Sequence, residues 1–298
     1  MYDVIIIGSG IAGLNAGLYA ARASLKTLII GSELGGNINR THMIDNWIGE
    51  PEISGKKLLE KWVKHVKKFN VEIVQDEVTS VIPYENGFMV ICNKKQCETK
   101  TLIFANGMMN RTLNVKGEDK FLGMGVHYCF TCDGPLYKNK IVGVVGSGDS
   151  AIMAALFLDA YASKVYLINK NEKCKAEAVM IKKLKGMKKL EILNNTNVVE
   201  VLGRKVVEKV KLSNGKTLEM DGVFVEIGAV PMVNLVKDLR LKLDDKQFIV
   251  VDNDMKTNIP GVFAAGDITN CSLVKQYITA AAQGAIAAKS VFNYLKRK

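Results

Sequence analysis

The sequence predicts an α/β protein built on two copies of one strand–helix–strand unit. Three observations predict it. A glycine-rich turn, Gly8-Ser9-Gly10-Ile11-Ala12-Gly13, follows a β-branched run at the start of the chain. The same arrangement returns at Gly146-Ser147-Gly148-Asp149-Ser150-Ala151. Just before that second turn stands a Cys-x-x-Cys pair, Cys129 and Cys132, followed directly by Asp133.

Tyr2 to Ile7 reads as a parallel strand buried on both faces, because its apolar residues are nearly continuous. A small-residue helix to about Ser24 and a second strand, Lys26 to Ile30, complete a βαβ unit. Its turn is G-x-G-x-x-G. The first glycine permits the tight turn, the second lets a pyrophosphate reach the backbone, and the third lets the helix pack on the strand. Glu33 lies where an acid accepts hydrogen bonds from a ribose diol. This is a Rossmann-like dinucleotide site.

Ser54 to Phe69 reads as an amphipathic helix, with Leu58, Leu59, Trp62, Val63, Val66 and Phe69 on or near one face. Glu72 to Glu98 alternates as short strands around turns at Glu85-Asn86-Gly87 and Asn93-Lys94-Lys95. Cys92 and Cys97 flank the second turn at a spacing unlike the common zinc ribbons and read as incidental. Thr101 to Ala105 returns to the sheet, and a connection at Arg111 to Gly117 marks a domain boundary.

The second unit has a strand at Ile141 to Val145, a helix at Ser150 to Ala160 and a strand at Lys164 to Ile168. A constant offset of 138 carries Gly8 to Gly146, Gly10 to Gly148 and Ile30 to Ile168, with no gap. At the offset of Glu33 stands Asn171, with Lys170, Lys173 and Lys175 around it. An acid favours a free ribose 2′-hydroxyl, and positive charge favours a 2′-phosphate. The first copy therefore suits FAD or NAD, and the second leans towards NADPH. The competing reading assigns these lysines to a generally lysine-rich surface, and lysine lacks the bidentate fork of arginine.

Beyond it come a helix at Ala176 to Leu184 and strands near Glu191 to Leu193, Val198 to Leu202, Val206 to Leu212 and Gly222 to Ile227. Pro231 to Leu239 reads as a return linker. Phe248 to Val251 and Gly261 to Ala265 read as strands, the second ending in Gly266-Asp267. An alanine-rich helix from about Leu273 to Leu295 closes the chain and can pack on a flat ligand or sheet.

The 298 residues, 48% apolar and 24% charged, suffice for about two domains. The net charge of +11 fits a solubilising surface, an acidic protein partner or nucleic acid. Without an arginine-rich or aromatic-interleaved basic stretch, nucleic acid is not expected. No run approaches the ~18 apolar residues of a membrane span. Val4 to Ile7 lacks the basic flank of a leader. The expectation is a cytoplasmic protein. Six cysteines (Cys92, Cys97, Cys129, Cys132, Cys174 and Cys271) do not form the pattern of a small secreted scaffold. The Cys129–Cys132 pair is suited to holding and releasing two electrons. Half a zinc site is the bland alternative, and it lacks a second Cys-x-x-Cys; no metal is expected. His127 reads as a structural hydrogen-bonder or as a participant in the chemistry.

With these motifs in order, the chain resembles the low-molecular-weight thioredoxin reductases. The resemblance rests on Gly8 to Gly13, Gly35-Gly36-Asn37, Asp45-Asn46-Trp47, Cys129 to Gly134, Gly146 to Ala151, and Gly261 to Asp267 followed by Lys275-Gln276. It implies two Rossmann-like, three-layer ββα, dinucleotide-binding domains, the second inserted in the first. The implied boundaries are residues 1–114 and 239–298 for FAD, and 115–238 for the NAD(P)H-type domain carrying the dithiol. Gly8, Gly10, Gly13, Glu33, Gly36, Asn37, Asn46, Asp267 and Gln276 would hold FAD. Gly146, Gly148, Ser150, Lys170 and Lys175 would hold NADPH.

The resemblance further implies that Cys129 and Cys132 pass electrons to a thioredoxin or glutaredoxin-like protein, with Cys132 preferred as the flavin-proximal thiol. Asp133 would give and take the proton that each cycle requires. A homodimer is expected. NADPH-using members carry His-Arg-Arg and a further arginine where this chain has Asn169, Lys170, Asn171 and Lys175. Relatives of the same fold take electrons from reduced ferredoxin, which is the alternative donor. A ferredoxin–NADP reductase and a non-catalytic redox sensor are further alternatives, and the dithiol argues against the former. Asn106 for threonine and Asn37 for glutamine are departures beside the implied flavin.

Overall fold

The structure is a computed structural model and describes residues 1–41, 44, 46–236 and 239–297. Asp45, named above in one motif, and Asp238, at an expected boundary, lie outside the described residues. The chain forms two compact units. One comprises Met1–Asn39, Asp45–Met109 and Val230–Lys298; the other comprises Arg40–Ile44 and Asn110–Ala229.

The first unit opens with β1 (Tyr2–Ile7), α1 (Ile11–Arg22) and β2 (Thr27–Gly31). Val4, Ile5 and Ile6 are wholly buried, as a run apolar on both faces requires. Helix α2 (Gly55–Lys67) is capped by Ser54, whose hydroxyl accepts the amide of Lys57. Leu58, Leu59 and Val66 form its buried face; Phe69, expected near that face, is exposed. Then come β3 (Glu72–Gln75), β4 (Val78–Tyr84), β5 (Gly87–Cys92) and β6 (Gln96–Phe104). The sheet order is β3-β2-β1-β6-β5-β4. The β3-β2-β1-β6 part is parallel, and β4, β5 and β6 form an antiparallel meander. Strand β6 serves both halves.

Strand β7 (Met108–Asn110) leads into the second unit. There β8 (Val126–His127) precedes a single helical turn, α3 (Phe130–Asp133). The nucleotide-type repeat follows as β9 (Ile141–Val145), α4 (Asp149–Asp159) and β10 (Lys164–Ile168). After α5 (Ala178–Leu184) come β11 (Leu190–Leu193), β12 (Val198–Gly203), β13 (Val207–Leu212), β14 (Thr217–Glu219) and β15 (Gly222–Val225). The parallel sheet runs β11-β10-β9-β15-β8, and β12-β13-β14 form a separate antiparallel sheet.

The chain leaves through β16 (Ala229–Pro231), which pairs with β7. Their flanks are bonded too. The Arg111 amide donates to Gly228 O at 2.9 Å, and the Met232 amide to Gly107 O at 3.2 Å. The stretch Phe248–Val251, expected as a strand, makes isolated bridges through Ile249 to Leu243 and Thr269. In the tight turn before it, Asp244 Oδ1 accepts the amides of Lys246 and Phe248, so the Phe248 amide is not offered to a ladder. Strand β17 (Val262–Ala264) joins β6 in parallel, and α6 (Tyr277–Lys296) ends the unit. Gly284 lets α6 lie against α1, since a Cβ there would sit 2.2 Å from Ala12 O. The chain is thus α/β, with two Rossmann-like units.

Candidate functional site

The first glycine turn, with Gly36 beside it, combines two glycines that the fold demands with two that leave open space. Gly8 has φ of +117°, and a Cβ on it would meet Ala105 O at 2.2 Å; one on Gly13 would meet Gly8 O at 1.8 Å. Both glycines are therefore demanded by the fold. Gly10 is different. Its Cβ would find nothing nearer than Gly35 O at 3.6 Å, and a Cβ on Gly36 nothing nearer than Gly10 Cα at 3.9 Å. These two glycines leave space that the protein does not fill. Gly10 also caps α1 without any side-chain hydrogen bond, and the first turn of α1 carries no acid. Its amides and dipole are available to phosphate.

Around this cradle, Ser9 Oγ donates to Glu33 O at 3.0 Å, and Asn39 Nδ2 donates to Glu33 Oε1 at 3.0 Å. Asn37 is exposed. Asn106, beside Gly8 on the next strand end, has a buried Oδ1 without a hydrogen-bond partner. An orphaned buried acceptor and an unfilled glycine cradle together fit a bound dinucleotide.

At the other end of the unit, Gly266 (φ +84°) turns the chain at Asp267. Burial pushes the Asp267 carboxyl up, against the opposing pull of Lys275. Burial likewise lowers Lys275, whose Nζ donates to Thr269 O at 2.6 Å. Asn46 Nδ2 donates to Gln276 Oε1 at 2.9 Å, so both amides meet at the start of α6. Gln276 is its N-cap and forms a capping box with Thr279. Trp47, Trp62 and Tyr277 stack edge to face beside it, with centroids 5.0 and 6.1 Å apart.

In the second unit, Cys129 and Cys132 form a disulfide with Cα atoms 5.3 Å apart, and both cysteines are half-buried. Gly134 allows α3 to close on α4: a Cβ there would lie 2.9 Å from the Phe157 ring. Phe130 packs edge to face on Phe157 at 5.6 Å. Asp133 is only 2% exposed, and its Oδ2 lies 3.1 Å from His127 Nδ1. His127 Nε2 lies 2.7 Å from Tyr137 Oη, and its ring stacks on Phe224 at 5.3 Å. Burial, with help from Asp133 and Asp221, raises the Tyr137 hydroxyl far above its ordinary value, so it stays a donor. Next to Cys129, the Tyr128 hydroxyl donates to Glu118. The same buried carboxylate accepts the amides of Leu113 and Asn114, each at 2.8 Å.

The second glycine turn repeats the first in backbone only. Gly146 is required, since a Cβ would lie 2.3 Å from Glu226 O, while Gly148 has open space. Here, however, side chains from the protein close in. Asn171 Nδ2 donates to Ser147 Oγ at 3.0 Å, and the Lys175 amide donates to Ser147 O at 2.6 Å. Asn169 is wholly buried, donating to Asn194 Oδ1 at 3.0 Å and accepting the Asn171 amide at 2.9 Å. Lys170 and Lys175 point outward and are exposed. Ser150 donates its hydroxyl to the Glu226 carboxyl. Burial pushes that carboxyl up to about 7.

Sequence reasoning brought His127 only to the edge of the site and missed Tyr137, Glu118 and Glu226. One signal was available for Glu226: an acid closing an apolar run, Gly222 to Val225. For the others, the contacts come from turns that bring residues ten apart together, which no period in the sequence reports.

A family profile for pyridine nucleotide-disulphide oxidoreductases matches residues 2–284. A thioredoxin reductase of Listeria innocua is 35% identical, over 99% of this chain and 94% of its own. A crystal structure of thioredoxin reductase from Streptococcus pyogenes is 35% identical with a TM-score of 0.89, covering 100% of this chain and 99% of its own. A ferredoxin-flavin thioredoxin reductase from Clostridium acetobutylicum is 37% identical with a TM-score of 0.55, over 100% and 99%.

Proposed function

We propose, from a chain that belongs to the pyridine nucleotide-disulphide oxidoreductases in their low-molecular-weight thioredoxin reductase branch, that the acceptor is a thioredoxin or glutaredoxin-like protein. The enzyme is a flavin-dependent disulfide reductase. The observation that carries the reading is the reachable Cys129–Cys132 disulfide with a buried acid directly behind it. Gly8, Gly10, Gly13, Glu33, Gly36, Asn37, Asn46, Asp267 and Gln276 are the residues proposed to hold FAD. When bound, FAD supplies the two-electron exchange between a donor and this disulfide.

The chain's own residues do the rest. Two electrons break the S–S bond and leave two sulfur anions. Asp133 supplies a proton to one of them. The remaining thiolate attacks the partner disulfide, forming a mixed disulfide and releasing one partner thiolate. The second cysteine then displaces the other partner sulfur, and the Cys129–Cys132 bond re-forms. Cys132 is proposed as the thiol facing the flavin and Cys129 as the attacking thiol. The proposal includes a homodimer in the cytoplasm; among the described residues no helix is long and apolar enough to cross a membrane.

For the donor, NADPH is the form expected from Gly146, Gly148, Ser150, Lys170 and Lys175. A specific observation favours a reduced ferredoxin instead. Ser147 is bonded to Asn171 and Lys175, Ser150 is bonded to Glu226, and a carboxyl stands where a pyrophosphate would need donors. The +11 charge suits an acidic protein donor. Anaerobic addition of NADPH, NADH or reduced ferredoxin, followed by flavin absorbance, tests the proposal. Bleaching by ferredoxin alone is expected. Bleaching by NADPH at micromolar concentration would return the donor to NADPH, and a purified protein devoid of flavin would sink the whole reading.

A further inference from the structure

The pair Asp133–His127 continues to Tyr137 in one buried line of hydrogen bonds, at 3.1 and 2.7 Å. His127 and Tyr137 are 5% and 7% exposed, and nothing in the electron path uses them. Each polar atom in the line has a defined part. Burial holds the Tyr137 hydroxyl in its protonated form, so it has a proton to donate. It can donate to His127 Nε2, 2.7 Å away, in the tautomer whose ring proton is on Nδ1. That tautomer aims Nδ1–H at Asp133 Oδ2, 3.1 Å away. Phe224 fixes the ring plane from the side, stacked at an interplanar angle of 26°.

We propose that His127 is a positioning residue for the thiol-reducing step: its Nδ1–H holds one oxygen of Asp133 in place and stabilises the carboxylate left after proton transfer, with Tyr137 fixing the ring tautomer. The inference rests on Asp133 being the proton carrier of the reaction proposed above. The proton balance is simple. Breaking the S–S bond with two electrons yields two sulfur anions. Asp133 in its acid form gives its proton to one of them and becomes a carboxylate, and on reoxidation it takes that proton back. His127 gains and loses no proton in the cycle.

The other charged and titratable groups near this line are few. Asp221, just ahead of β15, acts on Tyr137 and is itself bound to the Ile141 amide at 2.8 Å. The Lys140 ammonium lies 5.7 Å from the Tyr137 ring centre. The disulfide precedes Asp133 on α3. A donor to a carboxylate favours its ionised form, so removing it disfavours the carboxylate left after proton transfer.

The test uses the reduced holoenzyme and reads the alkylation rate of Cys129 and Cys132 with iodoacetamide against pH, by mass spectrometry. The wild-type profile is expected to carry a step that reports the acid coupled to the thiols. His127→Leu is expected to move that step upward by about one to two pH units, the worth of one hydrogen bond to a charged group. His127→Asn keeps an N–H near the place of Nδ1 and is expected to hold the wild-type midpoint. Tyr137→Phe, which removes only a hydroxyl, is expected to give an intermediate move and serves if His127→Leu fails to fold. Asp133→Asn should abolish the step. An unmoved midpoint in both His127→Leu and Tyr137→Phe, with the step lost in Asp133→Asn, overturns the role of His127 alone. A step that survives Asp133→Asn overturns the proton-carrier reading and this inference with it.

Discussion

Replacing Glu226 with glutamine removes one buried charge and little else. The Ser150 hydroxyl can donate to an amide oxygen as it does to the carboxyl. In the folded chain this carboxyl titrates near 7 against an ordinary 4.5. Each pH unit between those values is worth ~1.4 kcal/mol, so ionising Glu226 costs the fold roughly 3 kcal/mol. The native state binds the extra proton between pH 4.5 and 7. The Glu226 contribution to stability therefore falls as pH rises through that window and levels off above it. Glu226→Gln should show a smaller fall. Urea unfolding of both proteins at pH 5 and pH 8 checks this. The variant's midpoint should exceed wild type at pH 8 by about 1 M or more, with the advantage shrinking towards pH 5. Parallel pH dependences in the two proteins would refute the reasoning. The same variant offers a neutral group to a phosphate, so any affinity for NADPH should rise in it, read by flavin bleaching.

Cys132→Ser should keep the flavin yet lose thioredoxin reduction by about 10³-fold or more, and retained turnover would remove the dithiol from the mechanism. Gly10→Ala should fold normally, since its Cβ has room at 3.6 Å, while flavin occupancy at purification drops about tenfold; far-ultraviolet dichroism and the 450 nm absorbance read the two separately. Gly222→Ala should cost about 1–3 kcal/mol in urea unfolding, because its Cβ would lie 2.3 Å from the Tyr137 ring.

Where the pattern is local, the sequence carried the fold. The βαβ units were legible because their strands are apolar on both faces and their glycines stand at fixed offsets. Helix α6 starts at Tyr277 and not near Leu273, because Gln276 and Thr279 cap it there and hydropathy is blind to capping. The small strand β14 escaped notice since three residues give no period. The cysteine pair was legible as chemistry. Its surroundings were not: Asp133 meets His127 through a tight helical turn, and Tyr137 comes from the next turn. At the second glycine turn the motif alone suggested a phosphate site. Whether side chains fill such a turn depends on tertiary contacts such as Glu226 with Ser150, which cross 76 residues.

The pairing of β7 with β16 has a consequence for how the chain is assembled. From the standpoint of the first unit, everything between Gly107 and Met232 is one excursion whose two ends are already hydrogen-bonded to each other at 3.2 Å. Loop-closure entropy grows only with the logarithm of length, each doubling adding about 0.6 kcal/mol. The outer unit therefore tolerates a whole inserted domain almost as easily as a short hairpin. It also means the excursion is excisable in principle: a tight turn joining β7 to β16 would present the outer unit with the same ribbon, at lower closure cost.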